Sequence, residues 1–253
     1  FNTKVSRNHT ELMLKFLNYP MKIKKKMGNE LISIKGLNQF KGFNYSVPGD
    51  ISSASFFIVL TLLSKKSEIV IKNVNVNESR IGIINILNKM GANIKLERKK
   101  LYKGEKIANI HVKSKDNLKA INCPPKLNSS AIDEFLIIFL VAAKSKGISK
   151  FKDLGEMNKK ESKRLDLGVK FLRSIGIKVS RFKDNVNIHG NPNLILSKNF
   201  EMKNFLKDHR IFFLSCITAL TLGGKWKITD KDSINTSFPN FIKILKKIGA
   251  QIH

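Results

Sequence analysis

The chain has 253 residues, 42% of them hydrophobic, enough for one large core or for one domain and part of another. Its formal net charge is +28. Yet it holds no run of about 18 apolar residues, which argues against a membrane-spanning helix.

The charge invites a nucleic-acid reading. Composition weakens it. The basic residues are nearly all lysine, spread along a chain also rich in isoleucine and asparagine, and those three rise together in AT-biased coding sequences. Three Tyr and one Trp are few for a base-stacking surface, and the 17 Phe fall mostly in apolar runs. Cys123 and Cys216 stand far apart, which suits a reducing, cytoplasmic setting without a disulfide framework. The histidines show no metal-ligand spacing, and neither a P-loop nor a GxGxxG is present. No signal-peptide pattern opens the chain. It begins on Phe1, inside a patterned stretch, which suggests a piece of a longer or processed polypeptide.

In chain order, Leu12–Leu17 reads as a short helix that Asn8 or Thr10 could cap. Residues Asn29 to Tyr45 alternate well enough for two strands with Gly-containing turns. Val47-Pro48-Gly49-Asp50 is a break that ends in a capping Asp, and Ile51 to Leu63 follows as an apolar helix. From there a unit recurs: apolar helix, short strand, amphipathic helix ending in Gly, second strand. The strands before the amphipathic helices are Glu68–Ile71, Ser149–Lys152 and Lys225–Thr229. The helix ends align on Gly91, Gly176 and Gly249, about 85 and about 73 residues apart. Each Gly suits the left-handed residue that closes a last helical turn. The pattern is three copies of one βαβαββ-like unit, an α+β chain.

Polar residues open the helices of each copy. They are Asp50 to Ser53, Asn128 to Ser130 with Asp133 and Glu134, and Asp208 to Arg210 for the first helices. Asn77 to Arg80, Asn158 to Arg164 and Asn235 to Pro239 open the second ones. If the copies pack alike, these N-termini share one cleft and favour an anionic small molecule. Seven of the 47 basic residues are arginine, and Arg7, Arg80, Arg164 and Arg210 sit at such starts or turns. The planar guanidinium fork binds carboxylate or phosphate in a bidentate way that lysine cannot. The stretch Lys160-Glu161-Ser162-Lys163-Arg164 is read as a helix start, with Lys160 and Arg164 on one face and Glu161 in reach of Arg164. Two cations and a carboxylate there make an anion site with a proton-transfer group. Taken alone, an exposed salt-bridged first turn explains it better.

Together these stretches resemble the C-terminal part of the 5-enolpyruvylshikimate-3-phosphate synthases, nearest the bacterial class of low glyphosate sensitivity. Ser6-Arg7-Asn8-His9-Thr10-Glu11 is similar to the family's S-R-D-H-T-E. Val47 to Ser53 is similar to V-P-G-D-x-S-S, and Asn77 to Gly82 to N-x-T-R-x-G. Ile132-Asp133-Glu134 matches I-D-E, and Glu156 to Arg164 resembles E-L-R-V-K-E-S-D-R. Asp208-His209-Arg210-Ile211 matches D-H-R-I, and Thr236 to Pro239 matches T-S-F-P. Within the central signature, Asn158 stands where the family has Arg and Lys163 where it has an acid.

The resemblance implies the two-globe enolpyruvyl transferase fold, built of βαβαββ units, with the N-terminal globe mostly missing. Residues 1–49 would close the first globe. Residues 50–253 would form the second, three units whose first strand comes from outside. About 180 further residues would precede Phe1. The implied reaction moves the enolpyruvyl group of phosphoenolpyruvate to the 5-hydroxyl of shikimate-3-phosphate, releasing phosphate by addition and elimination. The implied catalytic residues are Asp133, which holds the ring hydroxyls, and Glu161, the proton shuttle. Arg164 and Arg210 would clamp phosphoenolpyruvate with His209 beside them, Lys160 would contact shikimate phosphate, and Ser6 and Arg7 would bind the 3-phosphate. No cofactor, metal, nucleic acid or membrane is implied, and the family expectation is a monomer when full length. A decayed non-catalytic copy, a basic nucleic-acid-binding module and the sister enolpyruvyl transferase of cell-wall synthesis are the rival readings.

Overall fold

The computed structural model describes residues 2–4, 6–39, 41–203, 205 and 207–252. The chain opens with β1 (Asn2–Lys4), α1 (His9–Phe16), β2 (Met21–Lys26) and β3 (Asn29–Ile34), the strands forming an antiparallel sheet in the order β1-β3-β2. This differs from the expected pair of strands between Asn29 and Tyr45, where Phe40 lies outside the described residues. The hairpin sits earlier because Met27 and Gly28 both take positive φ and turn the chain tightly, pairing Lys26 with Asn29. The lysines of β2, Met-Lys-Ile-Lys-Lys-Lys, hide its alternation in the sequence. Asn8 precedes α1 but does not cap it; its side chain is turned to Asn77.

The core is organised by α2 (Ile51–Leu63), α5 (Phe135–Lys144) and α7 (His209–Leu222). All three are apolar around nearly their whole circumference, so none can face water on one side. They pack pairwise on one another. Phe56 of α2 lies 4.8 Å from Phe213 of α7 between ring centroids, and Phe213 lies 4.5 Å from Phe241. Such aromatic pairs add to area burial by about 0.5–1.5 kcal/mol each.

Each central helix belongs to a unit. In the first, β4 (Glu68–Asn75), α3 (Gly82–Lys89), β5 (Asn93–Tyr102) and β6 (Glu105–Lys113) follow α2, with the antiparallel sheet order β4-β6-β5. In the second, β7 (Gly147–Phe151), α6 (Arg164–Ser174), β8 (Val179–Phe182) and β9 (Asn185–Gly190) follow α5 and repeat it as β7-β9-β8. The short α4 (Asn128–Ala131) precedes α5. In the third, β10 (Asn199–Met202) runs parallel to β11 (Lys225–Ile228) with α7 between, and α8 (Phe241–Lys247) follows. Parallel bridges Lys119–Lys146 and Asn122–Lys150 hold the corresponding place in the second unit. In the first, whose opening strand was expected from outside the chain, Gly49 forms a parallel bridge to Val74.

Residues Ala250–Ile252, expected as a strand, are not in one. The predicted glycine stops hold: Gly91, Gly176 and Gly249 have φ of +89°, +84° and +100°. A Cβ would meet nothing within 4 Å at any of them, so backbone conformation and not space requires the glycine. Gly82 is the opposite case. A Cβ there would lie 2.6 Å from the Ser130 backbone, so the glycine lets α3 approach α4.

Candidate active site

The N-termini of α2, α5, α6 and α7 meet at one end of the helix core, as the repeat predicts. Ser52 at the start of α2 bonds Glu134 at the start of α5, and Arg210 at the start of α7 bonds the Asp133 backbone carbonyl at 2.7 Å. Asp133 is the centre. Arg7 pairs with its Oδ2, while Lys160 Nζ and Arg164 Nη1 stand 3.3 and 3.9 Å from its Oδ1. Burial pushes the Asp133 carboxyl up, but Arg210, Arg7 and Lys160 outweigh this and hold it down at about 2. It is therefore an ionised acceptor, and it does not cap its helix.

Arg164 is 2% exposed, the first residue of α6, and is fixed by Asp208. Asp208 Oδ2 accepts from Arg164 Nε at 3.0 Å and from Ser162 Oγ at 2.5 Å, while its Oδ1 accepts from the Arg210 backbone N–H at 2.9 Å. One carboxylate thus caps α7 and orients the arginine of α6. Burial raises its pKa, yet Arg164 and these donors bring it below the ordinary aspartate value. Glu161 Oε2 lies 2.6 Å from Arg164 Nη2, but out of line for a hydrogen bond. Arg210 Nε is a buried donor without a hydrogen-bond partner among the described residues, while Arg164 Nη2, which also makes no aligned hydrogen bond, is ion-paired with Glu161. Buried guanidinium N–H groups are rarely left so, and an anionic guest would complete them.

The scarce arginines at these starts and turns lie close together in space. Arg7, Arg164 and Arg210 converge on Asp133, and Arg80 joins through Ser52, which it bonds at 2.7 Å. Lys160 corrects the helical expectation. It has extended backbone after the 3-10 turn Gly155–Lys159, and α6 starts only at Arg164, so the two share no helix face. They meet at Asp133 Oδ1, joined by the non-helical residues 160–163. His209 is half-buried, packs edge-on against Phe213 at 5.9 Å, and is pushed below the usual histidine pKa mainly by burial. Ser6 is exposed and adds no hydrogen bond or ion pair to the cluster among the described residues.

Asn158 has a structural role. Its Oδ1 accepts from the backbone N–H groups of Leu165 and Asp166 at 2.9 and 3.3 Å, and its Nδ2 donates to Asp166 Oδ1 at 2.7 Å. It caps α6 from outside the helix. Lys163 is exposed. Asp208 and Glu134 were legible only as caps or motif letters, because nothing local shows which partner a second carboxylate oxygen will find.

A model of the family described as EPSP synthase (3-phosphoshikimate 1-carboxyvinyltransferase) matches residues 1–245. The chain belongs to the EPSP synthase family. It is 38% identical over 248 residues to the 3-phosphoshikimate 1-carboxyvinyltransferase of Ruthia magnifica subsp. Calyptogena magnifica, covering 98% of this chain and 55% of that protein. It is 34% identical over 248 residues to the enzyme of that name from Zymomonas mobilis, covering 97% and 54%. The solved EPSP synthase from Acinetobacter baumannii superposes with a TM-score of 0.88 at 31% identity, covering 99% of this chain and 56% of that one. The enolpyruvyl transferase NikO from Streptomyces tendae, at 13% identity and TM-score 0.65 over 95% and 52%, shares the fold. The chain spans about half the length of the curated relatives it matches. It has the α+β fold of an EPSP synthase, and that family signature runs through nearly its whole length.

Proposed function

We propose that this chain carries the second globe's share of a 3-phosphoshikimate 1-carboxyvinyltransferase. The 5-hydroxyl oxygen of shikimate-3-phosphate bonds to C2 of phosphoenolpyruvate while a proton adds to C3. Loss of a C3 proton and of phosphate then restores the double bond as the enolpyruvyl ether. The observation that supports this most is the unfilled buried donor Arg210 Nε, with the Arg164–Glu161 pair near it, beside an ionised Asp133. Fixed donors of this kind suit an acid with both phosphate and carboxylate, and they act without reorganising.

In this reading Asp133 accepts hydrogen bonds from the ring hydroxyls and orients the attacking oxygen. Glu161, exposed and ion-paired with Arg164, moves the proton. Arg164 and Arg210 clamp phosphoenolpyruvate, with neutral His209 at the edge, while Lys160, Arg7 and Ser6 address the shikimate phosphate. Residues 1–49 belong to the first globe and 50–253 to the second. In this reading the protein works as a cytoplasmic monomer without cofactor and falls in the class of low glyphosate sensitivity, which the likeness of its Ser6–Glu11 and Val47–Ser53 motifs supports. Among the described residues no helix is long and apolar enough to cross a membrane.

The test is phosphate release from phosphoenolpyruvate and shikimate-3-phosphate, with and without the polypeptide encoded upstream of Phe1. Turnover is expected only with it, since the substrate contacts of the first globe are otherwise incomplete. Turnover by residues 1–253 alone would overturn the two-globe part. No turnover in either form would overturn the enzyme reading.

A further inference from the structure

Glu134 stands behind the clamp, adjacent to Asp133 but aimed the other way. Its side chain is 1% exposed, and its Oε1 accepts from Ser52 Oγ at 2.5 Å. Ser52 Oγ in turn accepts from Arg80 Nη2 at 2.7 Å, and the same Arg80 nitrogen lies 3.5 Å from Asp50 Oδ1. A serine hydroxyl has one proton, and Arg80 can only donate, so that proton is directed to Glu134. On its other side Glu134 Oε1 faces Arg210 Nη1 at 3.8 Å, the nitrogen that bonds the Asp133 carbonyl. The contacts form one chain, Asp50–Arg80–Ser52–Glu134–Arg210. It begins at the Val47-Pro48-Gly49-Asp50 break and ends at the unfilled Nε of Arg210.

We propose that Glu134 is a positioning residue for Arg210, and that Ser52 and Arg80 tie it to the start of α2, so that the clamp is set by the segment joining residues 1–49 to the helix core. Three features support this. A buried carboxylate opposes stability unless it is paired, and an apolar residue could fill the space between Ser52 and Arg210 at no loss. The Glu134 contacts are between elements, joining α2, α5 and α7, and none serves to cap a helix. The Arg210 guanidinium bonds the Asp133 carbonyl and, among the described residues, has Glu134 as the carboxylate within ion-pair distance, with the Asp133 carboxylate acting on it from further off. Burial raises the Glu134 pKa above the ordinary glutamate value, and Arg210, Ser52 and Arg80 oppose that rise without cancelling it.

The proposal rests on the reading of Arg210 as part of an anion clamp. Its test uses the protein with its whole reading frame, and the variants Glu134→Gln, Ser52→Ala and Arg80→Lys. The first readout is the Arg210 Nε–H resonance, assigned with Arg210→Lys, which needs no turnover. The second is KM and kcat for each substrate. In all three variants the Arg210 signal is expected to shift and broaden. The KM for phosphoenolpyruvate should rise by about tenfold while that for shikimate-3-phosphate stays within about twofold. A purely structural role would lower both affinities together with the folded fraction, and that result would overturn the proposal. So would an unchanged Arg210 signal, or the failure of both Glu134→Gln and Ser52→Ala to fold. If the wild type shows no turnover, the enzyme reading fails while the resonance still decides this one.

Discussion

Arg7 and Asp133 form an ion pair across 126 positions of sequence. It joins the segment before α1 to the turn before α5, and it places the carboxylate within reach of Lys160, Arg164 and Arg210 as well. One acid among several cations makes stability depend on pH.

The sign follows from the direction of the shift. The Asp133 pKa falls to about 2 on folding from an ordinary value near 3.8. Its contribution is present above the unfolded pKa and is lost as pH falls through about 2. The size is about 2 kcal/mol. Urea midpoints should fall more steeply between about pH 5 and pH 2 in the wild type than in Asp133→Asn. Equal slopes would show that the cations do not stabilise this carboxylate.

Arg164 and Asp208 are 2% and 1% exposed in their side chains, so neither can turn to water if the other is removed. Asp208→Ala should cost about 3–5 kcal/mol. Arg164→Lys should recover little of the corresponding loss, because a lysine cannot reach Asp208 and Glu161 with separate planar N–H groups. Chemical denaturation of both variants measures this. A loss under about 1 kcal/mol for either would mean that the pair is not held as described.

The legible part of this protein was the part governed by local pattern. Ile51–Leu63 is a helix to the residue, because Asp50 caps it and every face is apolar. The glycine stops held because φ near +90° leaves few alternatives. Arg7, Arg80, Arg164 and Arg210 could be picked out because arginine is scarce in a lysine-rich chain. What failed was cross-chain partnering. Lys160 and Arg164 do meet at Asp133, but across a non-helical stretch and not along a helix, and Glu134 and Asp208 each find partners on other elements. The β2–β3 hairpin was missed because lysines on an exposed strand erase the alternation that marks it.

Asn158 gives a test of whether its departure from the family pattern is structural. Its side chain accepts two backbone N–H groups of the first turn of α6. Asn158→Ala should lose about 1 kcal/mol, the usual effect of removing a cap. Asn158→Arg, which restores the family residue, has no acceptor to offer and should lose as much. Gain of stability with Arg would show that the cap matters less than a contact the arginine makes. Thermal melts of the two variants decide between them.

His111 lies on the open face of the sheet β4-β6-β5, with its Nδ1 2.8 Å from Glu97 and its Nε2 2.5 Å from Glu68. Hydrogen bonds to Glu97 and Glu68 raise its pKa above the ordinary histidine value, against a smaller effect of burial. A raised folded pKa means the opposite sign from Asp133. The contribution is complete below the unfolded pKa and is lost as pH rises through the folded one. Glu97→Gln and Glu68→Gln should each lower the His111 pKa in a ring-proton NMR titration, and together return it to the unfolded value. The same titration should follow any drop of the urea midpoint between about pH 6 and pH 8. A His111 that titrates at the ordinary value in the wild type would mean that the two carboxylates do not hold the ring.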